Sequence, residues 1–77
     1  MLITVKYFGQ IAEVTHKSEE QINLDGGTIA SISNYLFAKY ASLKTKDFQI
    51  AQNQEMVDQD TILTGDEIAL LPPFSGG

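Results

Sequence analysis

Apolar side chains alternate from the first residues. Ile3, Val5 and Tyr7 fall on one side of the chain and Leu2, Thr4, Lys6 and Phe8 on the other. Both sides stay largely apolar until Lys6, which predicts a strand inside a sheet rather than at its edge. Gly9 punctuates that strand, and Thr15-His16-Lys17-Ser18 reads as a polar loop or hairpin tip. Glu20, Ile22 and Leu24 then share one face while Gln21 and Asn23 share the other, the pattern of a half-buried second strand.

The period changes after Asp25-Gly26-Gly27. Ile29, Ile32, Leu36 and Tyr40 recur at three- and four-residue steps, with Phe37 widening the stripe, so a helix of about three turns is predicted. Thr28 is its expected N-cap, and Ser31 holds the position where a full capping box carries an acid. Lys39 lies in the last turn, where a cation suits the helix dipole, and Lys44 and Lys46 follow. Beyond them, Phe48-Gln49-Ile50-Ala51 predicts a short strand, Asn53-Gln54 a turn and Met56-Val57 a partner strand. Ile62-Leu63 is expected to be a buried local turn before Thr64-Gly65-Asp66, and Glu67 to Leu71 forms the last strand. Pro72-Pro73 ends it, because proline has no amide to continue a ladder.

These elements compose an α+β roll, a mixed sheet wrapped on one main helix. The last strand is expected to lie parallel beside the first, since the helix is the one crossover available. Residues 1–77 are expected to form a single domain with a free tail over 72–77.

Composition removes most chemistries. With no cysteine there is no disulfide, thiolate metal site or cysteine nucleophile, and one histidine cannot build a multi-histidine centre. The net charge is −5 without any arginine, which argues against nucleic acid and against anionic membrane surfaces. No apolar run approaches the length of a membrane span, so a cytoplasmic protein is expected. All five lysines precede Asp47, and from there on only acids carry charge. That half is either a solvated acidic face or a surface steered toward a basic partner.

Side-chain catalysis finds little support. Gly26-Gly27-Thr28 lacks the lysine and spacing of a phosphate loop. Asp58-Gln59-Asp60 lacks the glycine and distal glutamate of a calcium loop, so these are read as turn acids and no metal is expected. His16 sits in a polar loop without a nucleophile at recognisable spacing, and Tyr7, Tyr35 and Tyr40 lie on core-like stripes. The terminus differs. Phe74-Ser75-Gly76-Gly77 follows two stiff prolines, and two glycines without Cβ suit passage through a narrow channel. The reactive group so delivered is the α-carboxylate of Gly77, which reacts only after activation.

Three stretches carry a resemblance: Asn53-Gln54-Glu55-Met56-Val57, Leu63-Thr64-Gly65-Asp66-Glu67-Ile68-Ala69 and Pro72-Pro73-Phe74-Ser75-Gly76-Gly77. With Val5-Lys6-Tyr7-Phe8-Gly9-Gln10-Ile11-Ala12-Glu13 at the start, the chain resembles the small-subunit family of molybdopterin synthase, ubiquitin-like sulfur carriers with the β-grasp fold. The Gly-Asp-Glu step occurs across that superfamily, whereas Pro-Pro-x-x-Gly-Gly is particular to the molybdopterin branch. Ala12 departs from the arginine that many members carry in the first loop, so no contact of that arginine is transferred.

The resemblance implies that an adenylating enzyme of the ubiquitin-activating type uses ATP on Gly77. A sulfur donor then makes a thiocarboxylate, which passes its sulfur to cyclic pyranopterin monophosphate to build the molybdopterin dithiolene. It also implies a heterotetramer of two small and two large subunits, with the catalytic side chains on the large subunit and no cofactor bound to this chain. Gly76, Ser75, Phe74, Pro73 and Phe8 are the residues expected to meet the partner; core packing is the alternative for Phe8. Sulfur carriers of thiazole synthesis, ubiquitin-like modifiers ligated through Gly77, and a plain interaction domain are the competing readings.

Overall fold

The alternation at the start of the chain forms β1 (Leu2–Tyr7), which buries Ile3, Val5 and Tyr7 and turns Leu2, Thr4 and Lys6 outward. The computed structural model describes residues 1–73; the expected tail residues Phe74, Ser75, Gly76 and Gly77 lie outside the described residues. Antiparallel to β1 runs β2 (Glu19–Asn23), with Ile3 opposite Ile22. On its other side β5 (Glu67–Leu71) runs parallel, with Val5 opposite Ile68, as the single-crossover argument requires. Two further strands, β3 (Gln49–Gln52) and β4 (Glu55–Met56), complete the mixed sheet in the order β2-β1-β5-β3-β4. Asn53 and Gln54 join β3 to β4 with φ of 52° and 72°, the doubly positive turn that matches strand twist in a two-residue hairpin.

The main helix, α2 (Ile29–Lys39), lays Ile29, Ile32 and Leu36 on one face of this sheet. Thr28 is its N-cap, as expected, and the capping box is complete without an acid. The Ser31 hydroxyl accepts the Thr28 N–H at 3.2 Å, replacing the usual glutamate. Ile29, Ile32, Leu36, Val5, Ile3 and Leu70 are all at most 1% exposed, and burial of this apolar layer between helix and sheet is the main stabilising term.

Four features differ from the sequence pattern. The stretch after Gly9 is not wholly a loop: Gln10–Thr15 forms a short helix, α1, that buries Ile11 and Thr15. Six residues give too few turns for a helical period to show. His16 ends it in the left-handed region, φ 61°, and is exposed, in keeping with its reading as a solvated loop histidine. A 3₁₀ turn over Ala41–Thr45 follows α2 and buries Leu43 completely. Ile62 is 67% exposed although Leu63 is buried, because an extended bridge from Ile62 to Thr28 sends successive side chains to opposite sides. Tyr35 is also exposed, lying off the Ile29–Ile32–Leu36 stripe. Among the described residues no helix is long and apolar enough to cross a membrane.

Candidate interaction site at the proline end

Because β1 and β5 are parallel neighbours, both release the chain at the same end of the sheet. Tyr7 pairs with Leu70, and one step on the Phe8 N–H donates to the Leu70 carbonyl at 3.2 Å. The strand ends there. Phe8 is 44% exposed, so it is not a core residue, and its alternation places it on the outer side of the sheet, opposite Tyr7.

Gly9 turns the chain with φ 56° and ψ −131°. A Cβ built there would lie 2.7 Å from Cγ of Pro72, so the proline ring rests directly on the glycine backbone. Glycine is required twice over, by the positive φ and by that approach. Pro72 and Pro73 are both exposed. Beneath them opens a hollow of about 480 Å³, lined by Gln10 and Ile11 of α1 and by Thr45, Lys46 and Asp47 at the end of the 3₁₀ turn and just after it. Two of the predicted partner-binding residues, Phe8 and Pro73, are thus brought to one end of the fold. Phe74, Ser75, Gly76 and Gly77 lie outside the described residues.

The outer face leading to this end is shallow. Ala51 is paired directly with Ala69, and Ala69 lies beside Lys6 on β1. Lys6 reaches Glu67 at 3.0 Å, and that hydrogen bond, with the charge behind it, raises the lysine pKa. Much of the acidic second half lies elsewhere: among the described residues Asp47 is the one acid that lines the hollow.

On the helix side of the sheet a different cluster forms. The Glu20 carboxylate accepts hydrogen bonds from the hydroxyls of Tyr7 (2.6 Å) and Tyr40 (2.5 Å) and from the ammonium of Lys39 (2.5 Å). Lys17 approaches at 3.5 Å. Burial by itself would raise the Glu20 pKa, but the bonds from Lys39, Tyr40 and Tyr7 outweigh it and hold it at about 2. Burial first, and the bond to Glu20 second, push the Tyr7 hydroxyl well above the usual phenol range. Tyr7 and Tyr40 are therefore packing residues with satisfied hydroxyls, set edge to face with ring centroids 6.2 Å apart. Sequence reasoning missed both this cluster and the Gly9 seat; the one signal available was a glycine directly after an apolar strand.

Among the described residues no group of three or more histidine, cysteine, aspartate or glutamate side chains could hold a metal ion. Asp58 and Asp60 form a surface turn, in which Asp58 Oδ1 accepts the Asp60 N–H at 3.0 Å. The arrangement at the proline end offers exposed apolar contacts and a stiff base for the chain that follows, which suits binding another protein.

Comparison with known proteins agrees with this geometry. The sequence profile of the ThiS family matches residues 5–77. The chain belongs to the ThiS family. It is 35% identical to the protein named molybdopterin synthase sulfur carrier subunit in Chlamydomonas reinhardtii, over 100% of both chains. Among solved structures it resembles a chain in the protein–protein complex of subunits 1 and 2 of the molybdopterin-converting factor from Helicobacter pylori, with 28% identity, a TM-score of 0.71 and coverage of 100% of each chain. It also resembles the small archaeal modifier protein 1 of Methanosarcina acetivorans, with 25% identity and a TM-score of 0.79 over 99% of this chain and 96% of that one. The likeness drawn from the first strand and the terminal motif, and the β-grasp fold it implied, are both borne out.

Proposed function

We propose that this chain is the sulfur-carrier subunit of a molybdopterin synthase and works in the cytoplasm. The observation that carries the reading is similarity to a sulfur carrier subunit of that synthase over 100% of both chains, with Pro-Pro-Phe-Ser-Gly-Gly at 72–77. An activating enzyme would couple the Gly77 carboxylate to ATP, releasing pyrophosphate and leaving an acyl adenylate. Sulfide from a donor then displaces AMP to leave a thiocarboxylate, whose sulfur passes to cyclic pyranopterin monophosphate held by the large subunit while water returns Gly77 to a carboxylate. Two rounds supply the two sulfurs of the dithiolene. In this scheme the chain contributes position and a reactive end, while Phe8, Pro73, Phe74, Ser75 and Gly76 meet the partner and the catalytic side chains lie on the large subunit, in an assembly of two small and two large subunits.

Deletion of Gly77 tests this. With activating enzyme, ATP and a sulfur source, the intact chain is expected to show an oxygen-to-sulfur mass gain on Gly77 and to support dithiolene formation with the large subunit. The shortened chain is expected to do neither while keeping its Tm. Molybdopterin formation by the shortened chain overturns the mechanism. The likeness to an archaeal modifier favours one second reading, ligation of Gly77 to lysines of other proteins. Conjugates that survive denaturation, without any sulfur gain, would select it.

A further inference from the structure

We propose a second docking site, adjoining the proline end: the groove between the last turns of α2 and the β3–β4 hairpin, which takes a basic protein segment carrying an apolar side chain. The groove is about 570 Å³ and has an apolar floor made by Phe37, Phe48, Ile50 and Val57. Phe37 comes from α2 and Phe48 from the approach to β3, and their rings lie tilted with centroids 6.0 Å apart. Both are only partly buried against the core, and Met56 at the rim is 55% exposed. The floor is preformed, because the Val57 N–H donates to the Ile50 carbonyl at 3.1 Å and ties the chain just after β4 to β3. A site that does not have to order itself loses less free energy on binding.

Charge decides the occupant. Asp47 and Asp58 stand among the lining residues, and Asp58 is exposed. Among the described residues Lys46 is the one cation that lines the groove. The Asp58 carboxylate is held in place, its Oδ1 accepting the Asp60 N–H at 3.0 Å and the Thr61 hydroxyl at 3.1 Å. An apolar floor under such a rim favours a leucine or phenylalanine flanked by lysine or arginine, and it repels nucleic acid and anionic membranes. A symmetric contact with a second copy would set these carboxylates against their own counterparts. Groove and proline hollow share Lys46 and Asp47, so they open on two sides of one dipeptide. A partner held in the groove would sit next to the hollow under the prolines.

The test is a ¹⁵N-labelled full chain titrated with an acetylated, amidated peptide of sequence Arg-Lys-Ala-Leu-Phe-Ala-Lys-Arg and with its counterpart bearing glutamate at every basic position. Binding of the basic peptide alone is expected, with amide shifts centred on Phe37, Phe48, Val57 and Asp58. Asp47→Asn with Asp58→Asn should weaken it about fivefold, and added salt should weaken it too. Asparagine keeps the Oδ1 acceptor at 58, so the turn survives and the loss reads charge. No shifts at millimolar peptide, equal binding of the acidic peptide, or shifts centred on Phe8 and the outer face would overturn the proposal. So would concentration-dependent shifts of the groove without peptide, which would mean self-association. Deleting Gly77 should leave this binding unchanged, so its failure is distinguishable from failure of the sulfur-carrier reading.

Discussion

The Glu20 cluster, packed against the end of α2, and the proline end, where β1 and β5 release the chain, use their side chains in opposite ways. At Glu20, one carboxylate receives the hydroxyls of Tyr7 and Tyr40 and the ammonium of Lys39, so polar groups from β1, β2 and the end of α2 satisfy one another inside the fold. At the proline end, Phe8, Pro72 and Pro73 are exposed, and the two prolines border a hollow lined by Gln10, Ile11 and Asp47. Polar groups that already have partners within the chain stabilise the fold. Apolar groups left in water at the exit of two parallel strands stabilise it little, and they are where a second protein can gain affinity.

The largest effect should come from removing the satisfied centre. Glu20→Ala leaves the Tyr7 hydroxyl buried without its acceptor and removes the counter-ion of Lys39, so a loss of about 3 kcal/mol in urea unfolding is expected. Glu20→Gln keeps an acceptor and should cost less. The pH dependence has a definite sign. Glu20 has a folded pKa of about 2, below its ordinary value of 4.5, so its contribution is complete above the ordinary value. It is lost as pH falls toward 2, by about 3 kcal/mol in all. Tyr7 has a raised pKa, so its contribution is lost as pH climbs above the ordinary phenol range. Chemical unfolding across pH should therefore show a plateau with an acid shoulder, and Glu20→Gln should flatten that shoulder. A shoulder that survives in the variant belongs to other carboxylates.

What was legible from the sequence follows from how far apart the cooperating residues lie. Ile3, Val5 and Tyr7 announce β1 by themselves, and Ile29, Ile32 and Leu36 announce α2, because each pattern is local and long enough to repeat. The parallel placing of β5 followed from having one main crossover. The short helix α1 was hidden by its length, and the Glu20 cluster by separations of 13 and 20 residues between partners of unlike type. The candidate site divides in the same way. Phe8 and Pro73 could be named from residue type and position, but the Gly9 seat exists only because residues 9 and 72 meet once β1 and β5 are adjacent.

That seat gives the next effect in size. Gly9→Ala places a Cβ against the stiff ring of Pro72 at a positive φ, and about 2 kcal/mol of stability should be lost. Because the strain falls on the base of the tail, sulfur loading should also drop at a temperature where the variant remains folded. A variant with unchanged Tm would mean that the proline is not seated on the glycine. A variant that loses Tm but loads normally would mean that the seat serves the fold alone.

Phe8→Ala has the smallest expected effect on the fold and draws the sharpest line between the two regions. Phe8 is 44% exposed, beyond the last paired residue of β1, so truncating it should move stability by no more than about 0.5 kcal/mol. If the outer face at the proline end meets the large subunit, the same truncation should weaken that complex at least tenfold, about 1.4 kcal/mol, read by calorimetry with purified subunits. Glu20→Gln should show the converse, a stability change with affinity retained. Were Phe8→Ala to destabilise the chain while binding stayed intact, Phe8 would be a packing residue after all. The partner would then have to read the prolines and the residues after them without an aromatic contact from the first strand.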